Sequence, residues 1–330
     1  MVSYGSEPVN VADLLPLPGV EPALGRLEAA LRASVASEDP FLHEVASHLI
    51  ASRGKLLRPL MAIATAQAAG APVDDRVIRG AVAVELVHLG SLYHDDVMDE
   101  ADSRHGVQSV NAKWGNLVAI VAGDFLLARA SEIASSISLE VSALLGSTIA
   151  RLCEGQVGEV QTAFQTNRTE LAYFRSIDGK TASLLSASCR IGALTAGLDG
   201  PAVAAFTTFG SAFGMAFQVR DDVLDVIGTD ESLGKPAGND MVQGVYTLPV
   251  LRALAHPVAG PELAGLLGAP LDEPTRDKAR DIVRNSPGID EALAVARCFA
   301  DEARTALACV GSSPELDALA GFAHRLLDHL

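Results

Sequence analysis

The stretch VIRGAVAVELVHLGSLYHDDVMD, residues 77–99, reads as one long helix that ends in acid. Val77, Ile78, Ala81, Val82, Val84, Val87 and Leu92 recur at the spacing of a helix with a face turned into a core. At the end of the run Asp95 and Asp99 stand four residues apart and share a face. Like charges at that spacing repel by roughly a few tenths of a kcal/mol on an exposed helix, and more when partly buried. A cation is therefore expected between them. Hard carboxylate oxygens suit Mg²⁺, which keeps waters and accepts phosphate oxygens as further ligands.

The pattern occurs twice. FQVRDDVLD at 217–225 closes a second apolar run containing Phe206, Phe209 and Phe213, and Asp221 and Asp225 repeat the four-residue spacing. Solvated acidic helix ends are the plain alternative for either cluster alone. Two copies, each with basic residues just downstream, favour two clamps that hold one diphosphate through several Mg²⁺ ions.

The rest of the chain agrees with a helical protein. Aromatic residues make up 5% of the 330, and Ala and Leu, both strong helix formers, dominate. Helical periodicity recurs in about ten to twelve segments, with Gly and Pro between them and no convincing strand. The expectation is all-α: a large single-domain helical bundle around a central active-site cavity, spanning 21–330 behind a loose lead-in at 1–20. The net charge of −16 excludes a basic nucleic-acid groove. No run of apolar residues reads as a membrane span, the most apolar window, 117–127, being broken by Asp124. The first residues lack the basic start and apolar run of a signal peptide. Cys153, Cys189, Cys298 and Cys309 are scattered without metal-type spacing. Both features fit a cytoplasmic protein with reduced thiols.

In so acidic a chain the basic residues beside Gly and Pro stand out: Lys55 and Arg58 in GKLLRP, Arg104 and His105 after the first cluster, Lys180 after Gly179, and Lys235 after Gly234. Each alone is an ordinary surface cation. As a set they complement two acidic clamps, with metals on one diphosphate and direct cations on a second.

With these residues in view, the chain resembles the trans-isoprenyl diphosphate synthases, or polyprenyl synthetases, and most of all their long-chain members. The resemblance runs from about residue 40 to about 250, on GKLLRP at 54–59, HLGSLYHDDVMD at 88–99, KTASL at 180–184, FQVRDDVLD at 217–225 and GKPAGND at 234–240. It implies an allylic diphosphate held through Mg²⁺ on Asp95, Asp96, Asp99, Asp221, Asp222 and Asp225. Arg104, Lys180 and Lys235 are then in direct contact with it, and Gln218 and Thr181 support its leaving oxygen. Isopentenyl diphosphate is implied on Lys55, Arg58 and His88. The family usually has a second arginine where this chain has His105, and many members have lysine where it has Val245. The implied reaction is Mg²⁺-dependent head-to-tail prenyl transfer, and the implied assembly is a homodimer. Class I terpene cyclases usually lack the second DDxxD and the cations at 55 and 58. Regulatory subunits of two-chain synthases usually lose aspartates, and all six are present here.

Product length turns on the residues before Asp95. Short-chain members usually have a bulky aromatic four or five residues earlier, where this chain has Ser91 and Gly90, with Val87 one turn further back. One helical turn of about 5.4 Å is close to one isoprene unit, so small residues here admit a longer chain. Long products are preferred, and Gly90→Phe is expected to shorten them. The other reading is a tight helix contact at Gly90, with the floor set by Phe125, Phe164, Phe174 or Phe213 and a geranylgeranyl or farnesyl product.

Overall fold

A computed structural model of the chain describes residues 14–52, 54, 56–104, 106–230 and 236–329. The helices in chain order are α1 (Val20–Ser34), α2 (Pro40–Ala51), α3 (Leu57–Ala68), α4 (Asp75–Met98), α5 (Val110–Trp114), α6 (Asn116–Ile137), α7 (Leu139–Gln161), α8 (Glu170–Ile177), α9 (Ser183–Thr195) and α10 (Gly200–Ile227). After them come α11 (Asn239–Val242), α12 (Leu248–Ala255), α13 (Ala259–Ala264), α14 (Glu273–Arg284), α15 (Gly288–Ala306), α16 (Pro314–Ala320) and α17 (Phe322–Asp328). Twelve of those described have eight residues or more, which matches the periodic segments read from the sequence. Helix starts follow local chemistry. The Asp74 carboxylate accepts from the N–H groups of Arg76 and Val77 at the head of α4, and Asp199 accepts from Ala202 at the head of α10.

Two features differ from expectation. A two-residue antiparallel pair, β1 (Ser103–Arg104) with β2 (Val107–Gln108), follows α4; strands this short leave no alternation to detect. The lead-in is also not loose over its described part. Leu14, Leu15 and Leu17 are buried, and Arg325 Nε donates to the Leu14 carbonyl at 2.8 Å. Burying three leucines returns enough apolar area to order the segment.

The core falls into two clusters. One gathers α2, α4, α6 and α7; the other gathers α8, α10 and the helices after it, and α1, α3 and α9 contribute to both. The acidic helices α4 and α10 thus sit on either side of a shared α3–α9 wall. α10 is the one helix among those described that is long and apolar enough to cross a membrane, and 67% of its apolar window is buried inside the bundle. Its last carbonyls do not end in solvent. Arg280 and Arg284 donate to the oxygens of Val226 and Gly228, and Arg284 also reaches Ile227, placing two cations on the negative end of the helix.

Candidate active site

The ends of α4 and α10 open into one cavity of about 770 Å³, whose lining includes Asp99, Arg104, Lys180, Thr181, Gln218 and Asp222. Residues from four of the five motifs, from Asp99 to Asp240, therefore meet. Lys55, His105 and Lys235 lie outside the described residues.

The six aspartates divide by helical rotation. Asp95 and Asp99 share the cavity side of α4, and Asp95 feels both Lys180 and Asp99. Burial pushes the Asp95 carboxyl up, Lys180 and Arg104 pull it down, and Asp99 pushes it up again. Asp96 lies about 100° further round the helix. It is fully buried, and the Arg104 guanidinium holds its Oδ1, with Nε at 2.7 Å and Nη2 at 2.5 Å. On α10, Asp221 is the half-buried member. Asp222 is 2% exposed, and both its oxygens are engaged, by Tyr173 Oη and Gln218 Nε2. Asp225 is buried beneath the 237–240 segment, where its Oδ2 accepts from the Asp240 N–H at 3.3 Å and its carbonyl from the Gly238 N–H. Asp96 is held by Arg104 and Asp222 by Tyr173 and Gln218, whereas Asp95 and Asp221 are half-buried and Asp99 is exposed on the cavity lining.

This donor set fits Mg²⁺. Among the described residues no three His, Cys, Asp or Glu side chains converge closely enough to hold a metal ion by themselves. An ion that draws most of its ligands from diphosphate and water needs only one or two carboxylates.

Lys180 and Thr181 owe their position to a break in regular helix. Between α8 and α9 the chain widens into a π-turn, Asp178–Ala182. Here α7 approaches so closely that a Cβ on Gly155 would stand 2.6 Å from Lys180 N, and one on Gly179 would stand 2.7 Å from Arg151 O. Only glycine at both positions permits the approach. It brings Lys180 Nζ to 2.7 Å from Glu159 Oε1 on α7. Burial works against the Lys180 ammonium, but Glu159, Asp95 and Asp99 outweigh it and leave its pKa above the ordinary value. Thr181 Oγ1 donates to Gln218 Oε1 at 2.7 Å, so its one proton is spent inside the protein. In this arrangement Thr181 turns lone pairs rather than its proton toward the cavity.

Arg58 and His88, both expected on isopentenyl diphosphate, meet each other. Arg58 Nη1 donates to His88 Nε2 at 2.9 Å. Burial lowers the Arg58 pKa, while Glu85, Asp221 and Asp95 raise it, so this guanidinium lies in the field of both acidic motifs. Glu85, one turn before His88, is 3% exposed. Burial pushes its carboxyl up from 4.5 to about 7, with Arg58 pulling the other way. The folded chain keeps this proton where the unfolded chain has lost it. The contribution to stability is therefore full below pH about 4.5 and is lost as pH rises toward about 7. Glu85→Gln cannot ionise. It is expected to flatten the fall in Tm between pH about 5 and about 8; a slope equal to the parent's would place the titrating group elsewhere.

The chain-length residues separate. A Cβ on Gly90 would lie 3.1 Å from both Gly123 O and Leu127 Cγ, so Gly90 is where α4 and α6 touch backbone to backbone. Val87 is fully buried in the α4–α6 cluster. Ser91, half-buried and four residues before Asp95, is the small residue on the Asp95 face; its hydroxyl donates to the His88 carbonyl. Of the alternative floor residues, Phe164 packs on Gly244, Phe174 on Phe299 and Phe213 on Phe322, whereas Phe125 packs with the α4–α6 cluster.

Several cavity-lining side chains were not singled out by the sequence. Tyr173, Arg168 and Glu159 all line the cavity, as does Asp240, which raises the Asp222 pKa behind the larger effect of burial. Asp240 lay within a recognised motif; the other three became visible only when the fold joined α7, α8 and α10. Val245, the departure from lysine, is part of the same wall.

The sequence profile described as Polyprenyl synthetase matches residues 39–283. A nonaprenyl diphosphate synthase from Mycobacterium tuberculosis is 34% identical over 316 residues, 94% of this chain and 94% of that protein. A short chain isoprenyl diphosphate synthase from Methanothermobacter thermautotrophicus is 34% identical over 306 residues, 90% of this chain and 94% of its own length. Among solved structures, a polyprenyl synthase from Caulobacter crescentus complexed with calcium and isoprenyl diphosphate superposes with a TM-score of 0.89 at 32% identity, covering 98% of this chain and 99% of that one.

Proposed function

Because the chain belongs to the polyprenyl synthetase family, we propose that it condenses an allylic diphosphate head-to-tail with isopentenyl diphosphate, releases diphosphate and builds a long trans-polyprenyl diphosphate. The observation that carries this reading is the single cavity into which both acidic helices, Lys180 and Gln218 open.

Asp95, Asp99 and Asp221 are the residues that would hold Mg²⁺, which supplies positive charge to the diphosphate as it leaves. Lys180 adds a fixed cation beside them. The bond between C1 and the diphosphate oxygen breaks with its electrons going to oxygen. The double bond of isopentenyl diphosphate then forms the new bond to C1, and the proton lost from that partner goes to the released diphosphate. Arg58 and His88, tied to each other, orient the second diphosphate. The buried apolar walls keep water from the cationic carbon.

Two finer readings accompany this one. A long product is supported by the small Ser91 on the Asp95 face and by similarity to a nonaprenyl enzyme. A homodimer is supported by the outer face of α6, where Leu117, Ile120 and Val121 are exposed at 76%, 42% and 52%. A monomer in sedimentation would overturn the dimer. The four cysteines are unpaired, in keeping with a cytoplasmic setting.

The test is a product assay with Mg²⁺, isopentenyl diphosphate and, separately, geranyl, farnesyl and geranylgeranyl diphosphate, read as dephosphorylated alcohols by mass spectrometry. Products longer than geranylgeranyl are expected, and shorter ones from Ser91→Phe. Short products from the parent would retain the chemistry and move the floor to another residue. No elongation from any primer would overturn the enzyme reading for this chain alone and turn attention to a two-chain synthase.

A further inference from the structure

Along one wall of the cavity four side chains form an unbroken line of hydrogen bonds. Tyr173 Oη donates to Asp222 Oδ2 at 2.5 Å, Gln218 Nε2 donates to Asp222 Oδ1 at 2.8 Å, and Thr181 Oγ1 donates to Gln218 Oε1 at 2.7 Å. Tyr173 is 1% exposed and Asp222 2%, so water does not substitute for either partner. The Tyr173 ring is itself fixed. The Arg168 guanidinium carbon lies 5.7 Å from its centroid, and Arg168 is held in turn by Ser176 Oγ and the Tyr246 carbonyl.

The direction of this line has a consequence at the cavity. A primary amide has nearly the same shape either way round, so its partners decide which end is oxygen. Asp222 Oδ2 receives the Tyr173 hydroxyl and its Oδ1 the NH₂ end of Gln218, which turns the amide oxygen toward Thr181. The Thr181 proton is committed to that oxygen, and toward the cavity Thr181 offers lone pairs alone. If Gln218 turned over, its oxygen would oppose a carboxylate, and the Thr181 proton would be free to point at a ligand. In a buried site the first of these contacts is costly, which makes the arrangement switch-like rather than graded.

Resting on the function proposed above, we propose that Tyr173 is a positioning residue. By holding Asp222 it fixes the amide of Gln218 with its oxygen toward Thr181, and so sets the polarity that Thr181 and Gln218 present to the reacting end of the allylic diphosphate. Asp222 is the intermediary, which accounts for both oxygens of this cavity-lining aspartate being held by protein donors.

The test is a double-mutant cycle in the full-length protein. Tyr173→Phe keeps the ring and removes the hydroxyl. It is expected to lower kcat about tenfold or more with both KM values unchanged, and to cause no further loss in a Gln218→Ala background. A parental kcat, or losses that multiply in the double variant, would overturn the proposal in favour of mere packing. A second measurement needs no turnover. With glutamine labelled by ¹⁵N, the side-chain amide of Gln218 is identified by its loss in Gln218→Ala. It is expected to exchange slowly with solvent in the parent and faster in Tyr173→Phe; equal exchange in the two also overturns the proposal. An inactive parent with a protected amide that Tyr173→Phe releases would sink the synthase reading and leave the positioning role standing.

Discussion

Replacing Asp95 by Ala is expected to cut turnover at least about a thousandfold while the protein stays folded, and Asp221→Ala is expected to do the same. Both carboxylates are half-buried at the ends of α4 and α10, beside the cavity, where their charge is needed once metal and diphosphate are bound. In the resting protein Asp95 is attracted by Lys180 and Arg104 and Asp221 pairs with Arg220 at 3.5 Å, contacts at half-buried positions that contribute little to the fold. Burial pushes the Asp95 carboxyl up more than Lys180 pulls it down, so its removal costs the fold little, and Tm should stay close to the parent's. Asp96→Ala has the opposite signature. Its carboxylate is fully buried against Arg104, and deleting it leaves that guanidinium without its partner, a loss of about 1–3 kcal/mol in stability. Steady-state kinetics with saturating Mg²⁺, beside thermal unfolding of each variant, separates the two classes. Near-parental turnover from Asp95→Ala or Asp221→Ala would show that the clamp is elsewhere.

Gly90→Phe is expected to cost stability rather than to shorten the product. Even a methyl group at position 90 would press on the Gly123 carbonyl oxygen and Leu127 Cγ at 3.1 Å, and a benzyl group has no room unless α4 and α6 part. Overpacking a close helix contact typically costs about 1–3 kcal/mol, and this one involves backbone that cannot yield by changing rotamer. Tm should fall by several degrees, and activity should fall with it. A Gly90→Phe protein with the parental Tm and a shorter product would return the floor to position 90. Ser91→Phe, one residue on, lies on the Asp95 face and provides the contrast.

The two substitutions mark how far a linear reading reaches. Residues 90 and 91 are both small and both lie just before the first acidic motif. What distinguishes them is about 100° of rotation about the helix axis, which points one at α6 and the other along the Asp95 side. The same rotation separates Asp95 from Asp96. On α10 rotation is not enough: Asp221 and Asp225 share a face, yet Asp225 is covered by the 237–240 segment, which returns 12 to 15 residues later.

The sequence by itself determined the helical class, the two acidic clusters and most of the basic residues around them. These properties are local: apolar periodicity, the four-residue spacing of like charges, and the chemistry of carboxylates and guanidinium groups need no knowledge of distant chain. The tertiary structure alone decided which carboxylates are open, that Gly90 is a contact, that Lys180 answers Glu159 across 21 residues, and that Tyr173 reaches Asp222 across 49. Each of these depends on how helices are turned and stacked against one another. The packing of the whole bundle sets those rotations, and no short stretch of residues records them.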